Sequence, residues 1–321
     1  MNDTRQTQGS LAVVFPGQGS QSVGMLSSLA EQFPAVLETF REASSVLRYD
    51  LWRLVKEGPQ DALNCTDRTQ PAMLAAGVAV WRVWTESGGL TPALLAGHSL
   101  GEYTALVCAG ALAFPDAVRL VEERGRLMQE AVPAEVGAMA AILGLDDDSV
   151  RQACDEAAQG QIVTAVNFNS PGQVVIAGHK EAVERAMDVA KAGGAKKTLL
   201  LPVSVPSHCS LMQPAAQRFA GALANANFRA PRIPVIQNAD AAPHDTVESV
   251  VAALARQLYS PVRWVETVQA FSARGIKLVL EAGPGKVLSS LNRRIDKTQE
   301  ALPVYDPDTL LKALDAAATY A

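Results

Sequence analysis

The chain has 321 residues, 48% of them hydrophobic and 19% charged, a balance that suits a globular α/β protein and is too apolar for a disordered one. Lys and Arg total 28 against 33 Asp and Glu, and the net charge of −5 offers no general attraction to nucleic acid or to an anionic membrane. Cys65, Cys108, Cys154 and Cys209 stand far apart, and the four histidines lack metal-binding spacing, so no metal and no cofactor is expected and the chemistry falls to side chains.

The polar stretch over residues 1–10 reads as a disordered tail. The apolar run that follows, Leu11–Phe15, is too short for a signal peptide core or a membrane span, which predicts a cytoplasmic protein. That run reads as a strand ending in the turn-rich Pro16-Gly-Gln-Gly-Ser-Gln21, with helical pattern over 25–48 beyond it. Residues 71–86 read as an Ala-rich helix, and Ala93–Ala96 as a short buried strand before Gly97-His98-Ser99-Leu100-Gly101. A helix resumes at Glu102.

From 137 to 205 the pattern changes to strand 138–144, helix 147–158, strand 161–168, strand 173–178, helix 181–192 and strand 197–204. Asn169-Ser-Pro-Gly172 supplies the turn between the two central strands. This β-α-β-β-α-β order predicts a ferredoxin-like small domain at 137–205. Helices over 212–226, 246–258 and 261–273, with strands at 233–236 and 276–281, return the chain to its first pattern. The expected fold is therefore α/β: an α/β-hydrolase-like, mostly parallel sheet built from 11–136 and 206–321, interrupted by the inserted domain.

Gly97-His-Ser-Leu-Gly101 has the G-x-S-x-G form between a strand and a helix, where glycines permit the sharp turn that exposes a serine hydroxyl. Ser99 is the candidate nucleophile and needs a base. His98 is its chain neighbour and would point away, whereas His179 and His244 lie in segments expected at the surface. His208, in Val203-Ser-Val-Pro-Ser-His208, remains. No Asp or Glu stands out as a third member, so a neutral group or main-chain carbonyl is left to orient the imidazole.

Six separated motifs, spanning about 11–296, resemble the bacterial malonyl-CoA:acyl carrier protein transacylase family. They are Val14-Phe-Pro-Gly-Gln-Gly-Ser-Gln21, Gly97-His-Ser-Leu-Gly-Glu-Tyr103, Val166-Asn-Phe-Asn-Ser-Pro-Gly172, Pro202-Val-Ser-Val-Pro-Ser-His208, Gln257-Leu-Tyr-Ser-Pro-Val-Arg-Trp264 and Glu281-Ala-Gly-Pro-Gly-Lys286. The resemblance implies malonyl transfer from malonyl-CoA to acyl carrier protein through an ester on Ser99, with His208 as base. It implies an oxyanion hole made by the main-chain N–H groups of Gln18 and Leu100, and Gln257 as the group that holds the histidine through a carbonyl.

Arg124 matches the family arginine for the malonyl carboxylate; local sequence alone fits a surface ion pair with Glu123 or Glu130 equally well. Asn167 is a further candidate for the substrate pocket, while Glu102 and Tyr103 are expected to shape the helix after Ser99. Lys196, Lys197, Lys286, Arg293 and Arg294 are candidate basic positions for an acidic carrier protein. Monomer is the default assembly. A separate-chain acyltransferase of polyketide synthesis and a serine hydrolase are the rival readings.

Overall fold

A computed structural model describes residues 7–133, 135–203 and 205–320. Among them the chain forms two sheets. The larger holds β1 (Thr7–Phe15), β2 (Thr91–Gly97), β7 (Val235–Ile236), β8 (Leu278–Ala282) and β9 (Glu300–Val304), and the smaller holds β3 (Gly137–Leu143), β4 (Val163–Ser170), β5 (Gln173–His179) and β6 (Lys197–Leu200).

The larger sheet runs β7-β2-β1-β8-β9 with every pairing parallel. Its strands read as nearly unbroken apolar runs because helices cover both faces. Leu11, Val13 and Phe15 on one side of β1 join the main core, whereas Ala12 and Val14 join a second cluster around Trp264 and Phe271. The chain leaves β1 toward β2 on one side, and β8 later joins β1 on the other. Strand order thus reverses between β1 and β8, and the C-terminal end of β1 borders the usual crevice for ligands in such sheets.

The smaller sheet is antiparallel and ordered β4-β5-β3-β6. That order is the one expected of a ferredoxin-like unit, with helices Asp147–Ala158 and Lys180–Ala192 packed on one face. Its other face, through Met139, Val166, Val175 and Ala177, packs on Cys209. Two main-chain bonds tie the smaller sheet to the segment before helix Trp264–Ala273: Phe168 N–H donates to Val262 O, and Val262 N–H to Val166 O.

Several boundaries differ from the sequence reading. β1 begins at Thr7, so residues 7–10 are strand rather than tail, and 1–6 lie outside the described residues. The long helix expected over 25–48 is divided into Ser27–Gln32 and Pro34–Leu47, since Pro34 starts a new helix at its first position. The helix expected from 71 begins at Thr66 and carries Pro71 inside it. β6 stops at Leu200 instead of 204. After β8 the chain adds helix Val287–Ile295, β9 and helix Pro307–Ala318, and of these β9 and the last helix lie beyond the elements read from the sequence. No helix among the described residues is long and apolar enough to cross a membrane.

Candidate active site

Ser99 sits where β2 turns sharply into helix Gly101–Cys108. Its φ of 50° is left-handed, a backbone state that side chains rarely tolerate and that tends to mark functional turns. The glycines on either side are required by space. A Cβ on Gly97 would lie 1.9 Å from Gly101 C, and one on Gly101 would lie 2.1 Å from Phe15 O. The loop after β1 closes equally tightly, since a Cβ on Gly17 would lie 2.4 Å from His98 O. Two strand-end loops are thereby pressed together.

His208 reaches this turn from the segment that follows the smaller sheet. Its Nε2 lies 2.7 Å from Ser99 Oγ, and its Nδ1 lies 2.8 Å from the main-chain carbonyl of Gln257. A carbonyl only accepts, so Nδ1 carries the proton and Nε2 is left to accept from the serine hydroxyl. Burial first, and the Arg124 charge second, push the His208 pKa down to about 3. The imidazole is therefore held neutral, the form a base requires.

Arg124, from helix Phe114–Ala131, is only 1% exposed. Its Nη2 donates to Gln257 Oε1 at 2.9 Å and to Ser99 Oγ at 3.3 Å, and Nη1 donates to Gln70 Oε1 at 2.9 Å. The guanidinium also lies 5.5 Å above the Tyr103 ring, and Nε has no partner among the described residues. Burial lowers its pKa. Every group bonding Arg124 is neutral, so a buried positive charge faces the cleft without a bonded counter-ion. Arg126, two residues on, makes the surface pairs with Glu123 and Glu130.

Gln257 contributes in two ways. Its main-chain carbonyl orients His208, while its side chain accepts from Arg124 and donates to Ser99 O at 2.9 Å. Gln18 and Leu100 line the same cleft as Ser99, His208, Arg124 and Asn167, and their main-chain N–H groups donate to nothing among the described residues. Asn167, on β4, has a buried Oδ1 without a partner among the described residues.

The other histidines bond groups other than Ser99 Oγ, although His98 lines the same cleft. His98 Nε2 lies 2.8 Å from Asn169 Oδ1, and burial lowers its pKa. His179 Nδ1 accepts from Ile162 N–H, and His244 pairs with Asp240. Glu102 and Tyr103 are fully buried beneath the turn, where burial raises Glu102 to about 7. Sequence reasoning missed Gln70 and Asn238. Asn238 follows β7, and no local signal marked it: it reaches Ser99 only because β7 pairs with β2. Among the described residues no cluster of His, Cys, Asp and Glu is spaced for a metal.

Comparison with known proteins bears on this arrangement. Residues 12–313 match the model of the acyl transferase domain family. The malonyl CoA-acyl carrier protein transacylase of Escherichia coli (strain K12) is 58% identical over 304 residues, 95% of this chain and 98% of that protein. A solved acyl carrier protein S-malonyltransferase from Vibrio cholerae is 59% identical, with a TM-score of 0.92 over 94% of this chain and 99% of that one. A structure of a type II PKS acyl-carrier protein in complex with its malonyl-transacylase contains a chain 58% identical, with a TM-score of 0.95 over 96% of this chain and 99% of that one.

Proposed function

The chain belongs to the acyl transferase family, and from that premise we propose that it moves the malonyl group of malonyl-CoA to the phosphopantetheine thiol of acyl carrier protein, in fatty acid biosynthesis. The observation that carries the malonyl assignment is Arg124, a buried guanidinium 3.3 Å from Ser99 Oγ with only neutral bonded partners. A malonyl carboxylate supplies the missing anion, and a planar fork suits two-point contact with it.

In the first half-reaction Ser99 Oγ attacks the thioester carbonyl and passes its proton to His208 Nε2. The oxyanion is met by the N–H groups of Leu100 and Gln18. Collapse breaks the carbon–sulfur bond, the departing thiolate takes the proton from His208, and a malonyl ester remains on Ser99. The carrier thiol then gives its proton to His208, attacks the ester and expels the Ser99 oxygen, which recovers that proton. His208 keeps one tautomer throughout because Gln257 O fixes Nδ1–H.

The division of labour follows the two sheets: 11–136 with 206–321 as catalytic domain, 137–205 as a small domain lending Met139, Asn167, Leu201, Pro202 and Val203 to the cleft wall. Four free thiols and an acyl-CoA substrate suit a cytoplasmic enzyme. Of the basic candidates for carrier docking, Arg293 is already bonded to Ala301 O and Arg294 to Gln173 Oε1, which leaves Lys196, Lys197 and Lys286 as the first to test.

Intact-mass measurement after malonyl-CoA tests the reading: a malonyl adduct on Ser99, absent in Ser99→Ala and discharged by holo carrier protein, is expected. An adduct retained in Ser99→Ala overturns the ester mechanism. Discharge by water as fast as by carrier protein makes the chain a hydrolase instead. Because one similar structure pairs its malonyl-transacylase with a type II PKS carrier, carriers from both pathways belong in that assay, and discharge by the polyketide carrier alone would reassign the pathway.

A further inference from the structure

We infer that Asn238 is a positioning residue that holds the serine turn in its reactive shape. The inference rests on Ser99 being the acylated residue. A turn this tight strands main-chain groups that neither β2 nor the following helix can satisfy. Asn238 Oδ1 accepts from Ser99 N–H at 2.6 Å, and its Nδ2 donates to Gly97 O at 2.7 Å. One amide thus braces both limbs of the turn. Its orientation is unambiguous, since an N–H faces the oxygen and a carbonyl faces the nitrogen.

The brace is itself anchored. Asn238 is fully buried, its N–H donates to Glu102 Oε2 at 2.7 Å, and its carbonyl accepts from Arg263 N–H. Topology puts it there: β7 pairs with β2 at Ala96 and Ile236, so two residues beyond the strand the chain runs beside Ser99. Two consequences follow. The left-handed Ser99 backbone is held without help from substrate, and Ser99 N–H is occupied, which leaves the oxyanion to Leu100 and Gln18.

Rapid-quench acylation by malonyl-CoA separates positioning from binding, because the saturating rate constant and the Kd are read from one titration. In Asn238→Ala the rate constant should fall about 100-fold with Kd within about threefold of the parent, the signature of a misplaced nucleophile. Asn238→Asp keeps the acceptor for Ser99 N–H but sets a carboxylate against Gly97 O, and should lose about tenfold; it decides the matter alone if the alanine variant does not fold. A folded variant with parental rate constant, or one losing rate and affinity equally, overturns the inference. A parent enzyme that forms no ester on Ser99 refutes the acyl-serine reading and not the brace.

Discussion

Arg124 and Arg126 lie two residues apart on one helix and meet opposite fates: the first points into the cleft beside Ser99 Oγ and the second pairs at the surface with Glu123 and Glu130. Exposed pairs of the second kind contribute little, whereas a buried charge facing a substrate carboxylate is worth about 2–5 kcal/mol. Arg124→Ala should therefore lower kcat/KM for malonyl-CoA by roughly 30- to 4,000-fold while transfer from acetyl-CoA holds or improves. Arg124→Lys should not restore malonyl preference, because a point charge lacks the fork. Equal losses for both acyl donors would sink the carboxylate role. The same guanidinium governs pH dependence. Burial and Arg124 both lower His208, to about 3, so the acid limb of kcat/KM should lie well below the ordinary histidine value of about 6.5. A bound malonate offsets the Arg124 charge, so the limb in kcat should lie above that in kcat/KM; coincident limbs near 6.5 would contradict this. Local sequence left Arg124 and Arg126 almost indistinguishable, since which helix face is buried is decided by Thr66–Glu86, the helix packed against it, and not by neighbours in the chain. Family likeness alone distinguished the two.

At the scale of elements, the strand–turn–helix around Ser99 was legible because its determinants are adjacent: an apolar run, two glycines and a helix start. The structure adds why each glycine is required. Gly101→Ala would force a Cβ to within 2.1 Å of the Phe15 carbonyl and should cost about 3 kcal/mol or more in denaturant unfolding, with acylation lost alongside. Gly221 is the contrast, exposed in mid-helix with nothing within 4 Å of a new Cβ; Gly221→Ala should stabilise the protein by about 0.5–1 kcal/mol and leave transfer rates alone. If both alanines proved neutral, the close approach at the turn would be wrong. β7 was read as the strand at 233–236, of which only Val235 and Ile236 pair, and nothing in so short a run says that it lies beside β2. β9 carries Pro303, which counts against a strand in sequence but is tolerated at a sheet edge, where one side needs no donor.

At the scale of the whole molecule, the site is made by strand order. Ser99 and Asn238 are 139 positions apart and Ser99 and Gln257 are 158 apart, and they meet because β7 and β2 are neighbours and because the helix packed on Gln213–Asn225 ends at Gln257. Nothing local encodes that adjacency, which is why the Ser–His pair could be reached by eliminating other histidines while Asn238 and Gln70 could not. The far edge of the sheet makes the same point about stability. The motif resemblance stops near 296, yet β9 pairs with β8 from Leu278 to Ala282, and Val304, Leu310, Ala313 and Ala317 are buried in the main core. Deleting 297–321 would unpair β8, which lies directly beside β1, and would remove those four side chains with the partly buried Leu302 and Tyr305, exposing the core surface that they cover. Val304 and Leu310 alone, at about 1.5–3 kcal/mol each, amount to about 3–6 kcal/mol, which reaches the low end of an ordinary domain's stability before the lost β8–β9 pairing is added. The truncated chain should therefore lose its cooperative thermal transition and bind a hydrophobic dye, although every residue of the Ser99 site is retained; a truncation that melts cooperatively within a few degrees of the full chain and still forms the malonyl ester would show that β8 can close the sheet alone.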